Sequence, residues 1–203
     1  MSNEVKTKEK VDMDPKYIIK LTVTLFVTCV IVAGLLGLVN SVTEGPIAEK
    51  NKTKTAAAIQ EVLPEMEGSP AVVELTDEMT AAASGAGATI TEAYEAQAGG
   101  SVIGYALKIV ASGSQGNIEM MVGVDAEGAV TGVSIVKNSE TSGIGSKVMS
   151  NENGVLDQFI GKSAADGTLV VGKNVDAISG ATVSSRGVTT GVNAALAVAG
   201  VMG

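Results

Sequence analysis

Asp176-Ala177-Ile178-Ser179-Gly180-Ala181-Thr182 is the stretch that decides how the C-terminal part of this chain folds. Lys173 to Ile178 includes β-branched residues and reads as an extended approach, and Ser179-Gly180 is a turn signal. Beyond Thr182, the residues Val188, Val192, Ala195 and Ala199 recur at helical spacing. The stretch therefore predicts a junction where extended backbone turns into a helix over about Ser184 to Ala199, with Thr182 at the turning point. The first N–H groups of a helix lack internal partners and the helix dipole favours negative charge there, so this end suits a phosphate. Gly180 and Ala181 have little or no side chain, so a bulky group can approach the backbone. Taken alone, the same residues also fit a Ser/Thr-rich helix cap with no chemistry.

Composition narrows the choice. A chain of 203 residues allows one compact domain plus an anchor, or two very small units. Its net charge is −8, it has no basic stripe, and only 2% of its residues are aromatic, which argues against nucleic-acid binding. There is no His, and Cys29 is the only Cys. That excludes internal disulfides, Cys/His zinc sites, His-ligated haem and iron–sulfur ligation by this chain alone. It also excludes Ser/His and Cys/His triads. No metal site is expected. Redox chemistry on this chain would have to be carried by an organic cofactor.

Working back to the N-terminus, 1–16 is a polar tail with Lys6, Lys8, Lys10 and Lys16. Tyr17 to Val39 is apolar apart from Lys20, a few Thr and Cys29, and as a helix it is long enough for the hydrocarbon core. The run exceeds the apolar part of a cleaved signal peptide, so it reads as an uncleaved anchor crossing the membrane once. Phe26-Val27-Thr28 lacks the small residue wanted beside a lipidated Cys29. Basic residues cluster before the span, and none follows Val39 until Lys50. This bias predicts a cytoplasmic N-terminus and a large domain outside the cytoplasm.

Pro46 can open a helix at its first turn, so 40–64 reads as a stalk helix ended by Pro64, or as a helix folded into the domain. Ala71 to Leu75 is a short strand. Thr76 to Gly100, rich in Ala, Gly, Thr and Glu, reads as a long loop or a weakly helical excursion. Ser101 to Val110, Asn117 to Val124 and Ala129 to Val136 read as strands, the last two joined by a hairpin at Asp125–Gly128, together forming an antiparallel sheet. Val155, Leu156, Phe159 and Ile160 predict a short amphipathic helix, and Ala164 to Val171 a loop and strand.

Two stretches carry a resemblance. Asp176-x-x-Ser179-Gly180-Ala181-Thr182 resembles D-x-x-[S/T]-G-A-T, the flavinylation motif of the FMN-binding domain family. In that family a flavin transferase joins the phosphate of FMN to the last Thr by a phosphoester. The resemblance implies Thr182 as the attachment point, with Asp176 and Ser179 recognised by the transferase. Asn138 to Lys147 is similar to the family's H-x-E-T-P-G-L-G-x-K loop, which lies against the flavin. Glu140, Thr141, Gly143, Gly145 and Lys147 match, while Asn138 replaces His and Ser142 replaces Pro. The resemblance implies that Glu140, Thr141, Ser142, Gly143, Ile144, Gly145, Lys147, Ser179, Gly180, Ala181 and Val183 surround the cofactor.

The implied fold is α+β, a single N-terminal transmembrane helix (17–39) followed by a mixed, largely antiparallel-sheet FMN-binding domain over 65–203. An anchor followed by this domain resembles the G subunits of membrane-bound ferredoxin:NAD oxidoreductases of the Rnf type. The C subunits of Na⁺-translocating NADH:quinone reductases share the layout and are the second reading. An anchored scaffold domain with no redox role is the third. The first reading implies electron transfer through covalent FMN. It also implies, as partners, the other membrane subunits of the complex, the transferase and lipid.

Overall fold

The computed structural model describes residues 14–202, so the predicted tail at 1–16 lies almost entirely outside the described residues. The chain divides into two compact units at Asn51/Lys52.

In the first unit, α1 runs from Pro15 and continues to Val62. Its apolar side chains are exposed all round, among them Leu21, Leu25, Phe26, Ile31 and Leu36. A helix apolar on every side is solvated by lipid or buried in protein. This is the one helix among the described residues long and apolar enough to cross a membrane. Pro46, expected to open a separate stalk helix, lies inside α1, which runs on without a break. Polar residues just past the apolar run bond back to helix carbonyls. Ser41 Oγ donates to Leu38 O at 3.0 Å, and Thr43 Oγ1 to Val39 O at 2.9 Å.

The second unit is built on a five-stranded antiparallel sheet in which the strands stand in chain order. They are β1 (Ala71–Val73), β2 (Thr89–Ala98), β3 (Ser101–Ser112), β4 (Asn117–Asp125) and β5 (Val130–Lys137). Helix α2 (Asp77–Gly85) precedes β2; α3 (Gly145–Met149) and α4 (Thr182–Met202) follow the sheet. Gly99 and Gly100, with φ of 58° and 81°, make the two-residue link between β2 and β3 that L side chains disfavour.

Of the two readings of Thr76–Gly100, the helical one holds for Asp77–Gly85, and the long loop is replaced by strand β2 over Thr89–Ala98. Thr76 caps α2 by accepting Met79 N–H at 3.2 Å, and Asp77 and Glu78 occupy the first turn. In β2 the register shifts between Ile90 and Glu92 and again between Ala96 and Gln97. Those bulges break the alternation that marks a strand in sequence.

Each face of the sheet is covered. On one face α2 and α4 close over Leu107, Ile109, Ile118, Met120 and Val122. On the other, Ala58, Ile59, Val62 and Leu63 at the end of α1 pack against Ala96, Ala106 and Met121. The end of α1 is thus part of the domain core rather than a free stalk. Ala106, Gly123 and Gly132 lie side by side across three strands, and their small size admits Val62.

Helix α4 begins two residues before its predicted start and ends three after its predicted end, with Val188, Val192, Ala195 and Val198 fully buried. Glycines set how close it lies. A Cβ on Gly187 would stand 2.5 Å from the Ser112 carbonyl oxygen.

The predicted helix at 155–160 is replaced by single 3₁₀ turns at Glu152–Gly154 and Asp157–Phe159. Asn151 Oδ1 accepts Leu156 N–H at 2.6 Å and Asn151 Nδ2 donates to Asp157 Oδ1, so side-chain bonds displace the helical ladder. Leu156 and Phe159 still turn into the core, while Ile160 is exposed. The predicted strand within 164–171 is reduced to one parallel bridge, Val171 to Val175. Ser163 and Asp166 form a capping box that opens the 3₁₀ turn Ala164–Asp166 in place of an extended strand.

Candidate functional site

The head of α4 forms as the sequence suggests. Gly180 has φ of 82°, and Ala181 N–H donates to Ile178 O at 2.9 Å, closing the turn that ends the extended approach. Thr182 is the first helical residue and is exposed. Ser185 N–H donates back to Ala181 O at 2.9 Å. The amides of Thr182, Val183 and Ser184 find no acceptor among the described residues and remain open to an anion.

Two other segments meet this helix end. One is the turn between β3 and β4, where Gly113 N–H donates to Gly116 O at 2.7 Å. The other is the loop after β5. Its Gly143 has φ of 95° and donates its N–H to Ser146 Oγ at 2.9 Å. Asn138, standing where His is common in the resembled family, uses Oδ1 to accept Glu140 N–H at 3.1 Å. That is an Asx turn; the position shapes the loop and carries no proton.

Together these segments enclose a cleft of about 280 Å³ lined by Ser114, Glu140, Thr141, Ile144, Gly145 and residues 180–184. A second, larger cleft of about 670 Å³ lies between Gly143–Lys147, Glu152–Gln158 and Asp176–Ser179. Ile144 lines both, and its Cγ2 is 3.5 Å from where a Cβ on Gly180 would stand. Of the residues singled out from sequence, Glu140, Thr141, Ile144, Gly145, Gly180, Ala181, Thr182 and Val183 meet in the smaller cleft. Gly143, Lys147, Asp176 and Ser179 line the larger one, while Ser142 lines neither. Lys147 is engaged with Glu152 Oε1 at 3.1 Å, an exposed pair that water screens.

Sequence reasoning missed Ser114, Glu152, Gln158 and Ser184. Gln158 holds the approach to Thr182. Its Oε1 accepts Asp176 N–H at 2.7 Å, and its Nε2 donates to Asp176 O at 3.1 Å. No local pattern marks such a residue, because its partner lies eighteen positions away.

Residues 113–197 match the FMN-binding domain family, and 13–62 match the RnfG N-terminal region. The chain is 38% identical to the G subunit of the Na⁺-translocating ferredoxin:NAD⁺ oxidoreductase complex of Acetobacterium woodii, over 96% of this chain and 97% of that protein. The chain belongs to the G-subunit family of Rnf complexes. A second member, the G subunit of the ion-translocating oxidoreductase complex of Methanosarcina acetivorans, is 30% identical over 90% of this chain and 95% of its own length. The domain's fold is shared more widely. The C subunit of the Na⁺-translocating NADH-quinone reductase from Parabacteroides distasonis superposes with a TM-score of 0.51 at 20% identity, covering 74% of this chain and 90% of that one. The expected α+β architecture, an apolar N-terminal helix followed by an antiparallel-sheet domain, is the one observed. Within this G-subunit family the FMN-binding match spans the β3–β4 turn, both clefts and most of α4.

Proposed function

We propose that this chain is the membrane-anchored electron-transfer subunit of an ion-translocating ferredoxin:NAD oxidoreductase complex, and that it carries FMN in phosphoester linkage to Thr182. The observation that carries the reading is the placement of Thr182. Its exposed hydroxyl opens α4 beside three amides without acceptors, at the edge of a cleft whose near wall, Gly180-Ala181, is almost free of side chain. That donor set and that space fit a nucleotide phosphate.

The residues present divide the work. The amides of Thr182, Val183 and Ser184 would hold the phosphate. Ile144 and Gly145 would bound the nucleotide on the loop side, and Asp176 and Ser179 remain exposed for the transferase. Thr182 is an attachment point and moves no proton during turnover. Bound FMN supplies one- and two-electron redox chemistry, which a chain without His or metal-binding Cys clusters does not supply itself.

Basic residues before the apolar span support a cytoplasmic N-terminus with the domain on the far side of the cell membrane. A covalent tether suits that side, where a dissociated flavin would be lost. The partners are the other membrane subunits of the complex, the flavin transferase during maturation, and lipid around α1. Identity of 38% along nearly the full length favours the G-subunit reading over the C subunit of the quinone reductase, whose likeness is one of fold.

The test is in-gel fluorescence of the full-length chain after denaturing electrophoresis, from a host with a flavin transferase. The native chain is expected to fluoresce and Thr182→Val to be dark while folded. A dark native band would favour a scaffold domain; a fluorescent Thr182→Val band would move the attachment elsewhere.

A further inference from the structure

Glu140 sits in the loop that resembles a flavin-contacting segment, yet its carboxylate is already occupied by protein. Oε1 accepts Ser114 N–H at 2.7 Å and Gln115 N–H at 3.2 Å, and Oε2 accepts the Ser184 hydroxyl. The surroundings leave it no freedom. A Cβ on Gly113 would overlap Oε1, and one on Gly145 would stand 2.6 Å from Oε2. One side chain thus fastens the β3–β4 turn, the loop after β5 and the first turn of α4.

The hydroxyls at the head of α4 are not equivalent. Ser184 is 2% exposed and gives its proton to Glu140. Ser185 is 3% exposed and donates to Ala181 O at 3.0 Å. Thr182 is exposed, and its hydroxyl has no partner among the described residues. Helix ends fray unless something ties them, and a first turn is where tying matters most.

We propose that Glu140 is the positioning residue for nucleotide attachment: by binding the Ser184 hydroxyl and the Ser114–Gln115 turn together, it fixes the first turn of α4 so that Thr182 presents its free hydroxyl to the incoming phosphorus. The inference rests on the phosphoester reading above. In the step it serves, the Thr182 Oγ1–P bond forms and the pyrophosphate P–O bond of a flavin dinucleotide donor breaks. A nucleoside monophosphate leaves, and the Thr182 proton passes to a base on the transferase. Glu140 is not that base, since its oxygens already hold two amides and one hydroxyl.

The experiment uses full-length chain produced without the transferase, then supplied with purified transferase and flavin adenine dinucleotide. kcat and KM for labelling are measured, with melting curves on each variant. Glu140→Leu keeps bulk but none of the bonds. Glu140→Gln keeps the carbonyl acceptor for the turn, and its amide can donate to Ser184 Oγ. Glu140→Leu is expected to lower kcat about tenfold or more, the scale of a sub-ångström to ångström misplacement, with KM nearly unchanged because Asp176–Thr182 is intact. Glu140→Gln is expected to recover most of the loss. Ser184→Ala removes one donor, keeps the fold, and is expected to lower kcat by about severalfold.

Native kcat in a folded Glu140→Leu overturns the proposal, as does native kcat in Ser184→Ala should the Leu variant fail to fold. Gln as slow as Leu also overturns it, since charge rather than the clamp would then matter. A native chain that takes no label sinks the Thr182 reading itself and this role with it. A labelled native chain with indifferent variants sinks only the role of Glu140.

Discussion

Gln158 binds both backbone polar groups of Asp176, accepting its N–H at 2.7 Å and donating to its carbonyl at 3.1 Å. A third bond, Nε2 to Val155 O at 2.6 Å, ties the same amide to the 3₁₀ segment. The first residue of the acceptor motif is therefore held by a side chain outside the motif. Gln158→Leu is expected to cost about 0.5–1.5 kcal/mol, the net scale for a hydrogen bond whose backbone partner stays open to water. It should slow flavin attachment more than this loss of fold explains. Gln158→Glu should be no better, because its second oxygen would face two carbonyls. Denaturant unfolding alongside flavin fluorescence checks both; native labelling in folded Gln158→Leu would refute the link.

Two glycines of α4 should respond unequally to alanine. The Gly187 Cβ would meet the Ser112 backbone oxygen at 2.5 Å, which can yield only by shifting α4 off β3. The Gly191 Cβ would meet Met120 Sδ at 2.5 Å and Cε at 2.6 Å, the far end of a flexible side chain. Gly187→Ala is expected to destabilise by about 1–3 kcal/mol or more, as overpacking does, and to disturb the nearby β3–β4 turn. Gly191→Ala is expected to cost about 1 kcal/mol or less, partly offset by helix propensity. Equal losses in denaturant titrations would contradict this.

These glycines also mark what could be read in advance. β4 was legible because Ile118, Met120, Val122 and Val124 alternate, β3 from its Val, Ile and Tyr content, β5 from the hairpin turn at Asp125–Gly128, and α4 because Val188, Val192 and Ala195 recur every three to four residues. β2 was not legible because two register shifts break its period and two of its three buried positions, Ala93 and Ala96, are weak strand formers. At the site, the residues singled out from the two motifs line one or other of two clefts, with the exception of Ser142. Gln158 and Ser184 stayed hidden because each acts through one long-range hydrogen bond partner. The reach of α1 into the domain depended on Gly123 and Gly132 lying in register, which no linear pattern reveals.

The pH response should centre on Glu92 and Tyr94. Lys108 Nζ lies 2.8 Å from Glu92 Oε1, and the Tyr94 hydroxyl donates to the other oxygen. Burial alone raises the Glu92 carboxyl, but hydrogen bonds from Lys108 and Tyr94 and the Lys108 charge outweigh it and hold it below 4.5. This stabilisation is present above the unfolded value and is lost as pH falls through the lowered one. Tyr94 is pushed up to about 12 by burial, then by its bond to Glu92 and that residue's charge. Its contribution is full below the unfolded value of 10.0 and is lost as pH rises from there to about 12. Melting temperatures across pH 9–12 should fall more steeply for the native chain than for Tyr94→Phe, to about the extent one raised phenol contributes. Parallel curves would exclude the coupling.

The last prediction concerns how α1 closes the lower face of the sheet. Val62 O accepts the Thr131 hydroxyl at 2.6 Å, and Ser134 Oγ donates to Glu61 Oε2 at 2.6 Å. A Cβ on Gly123 would lie 2.6 Å from Val62 O and overlap Thr131 Oγ1, so alanine there must break the first bond and push Val62 away. Gly132→Ala is milder, with Val62 Cα at 3.1 Å. Val62 and Ile59 bury large apolar side chains, and releasing either costs about 1.5–3 kcal/mol. Gly123→Ala should therefore expose 58–63 to limited proteolysis and raise amide exchange there, with Gly132→Ala intermediate. Flavin attachment should persist in both, because the clefts lie among segments that do not include α1. Unchanged protection of 58–63 in Gly123→Ala would mean that this contact does not hold the helix end to the sheet.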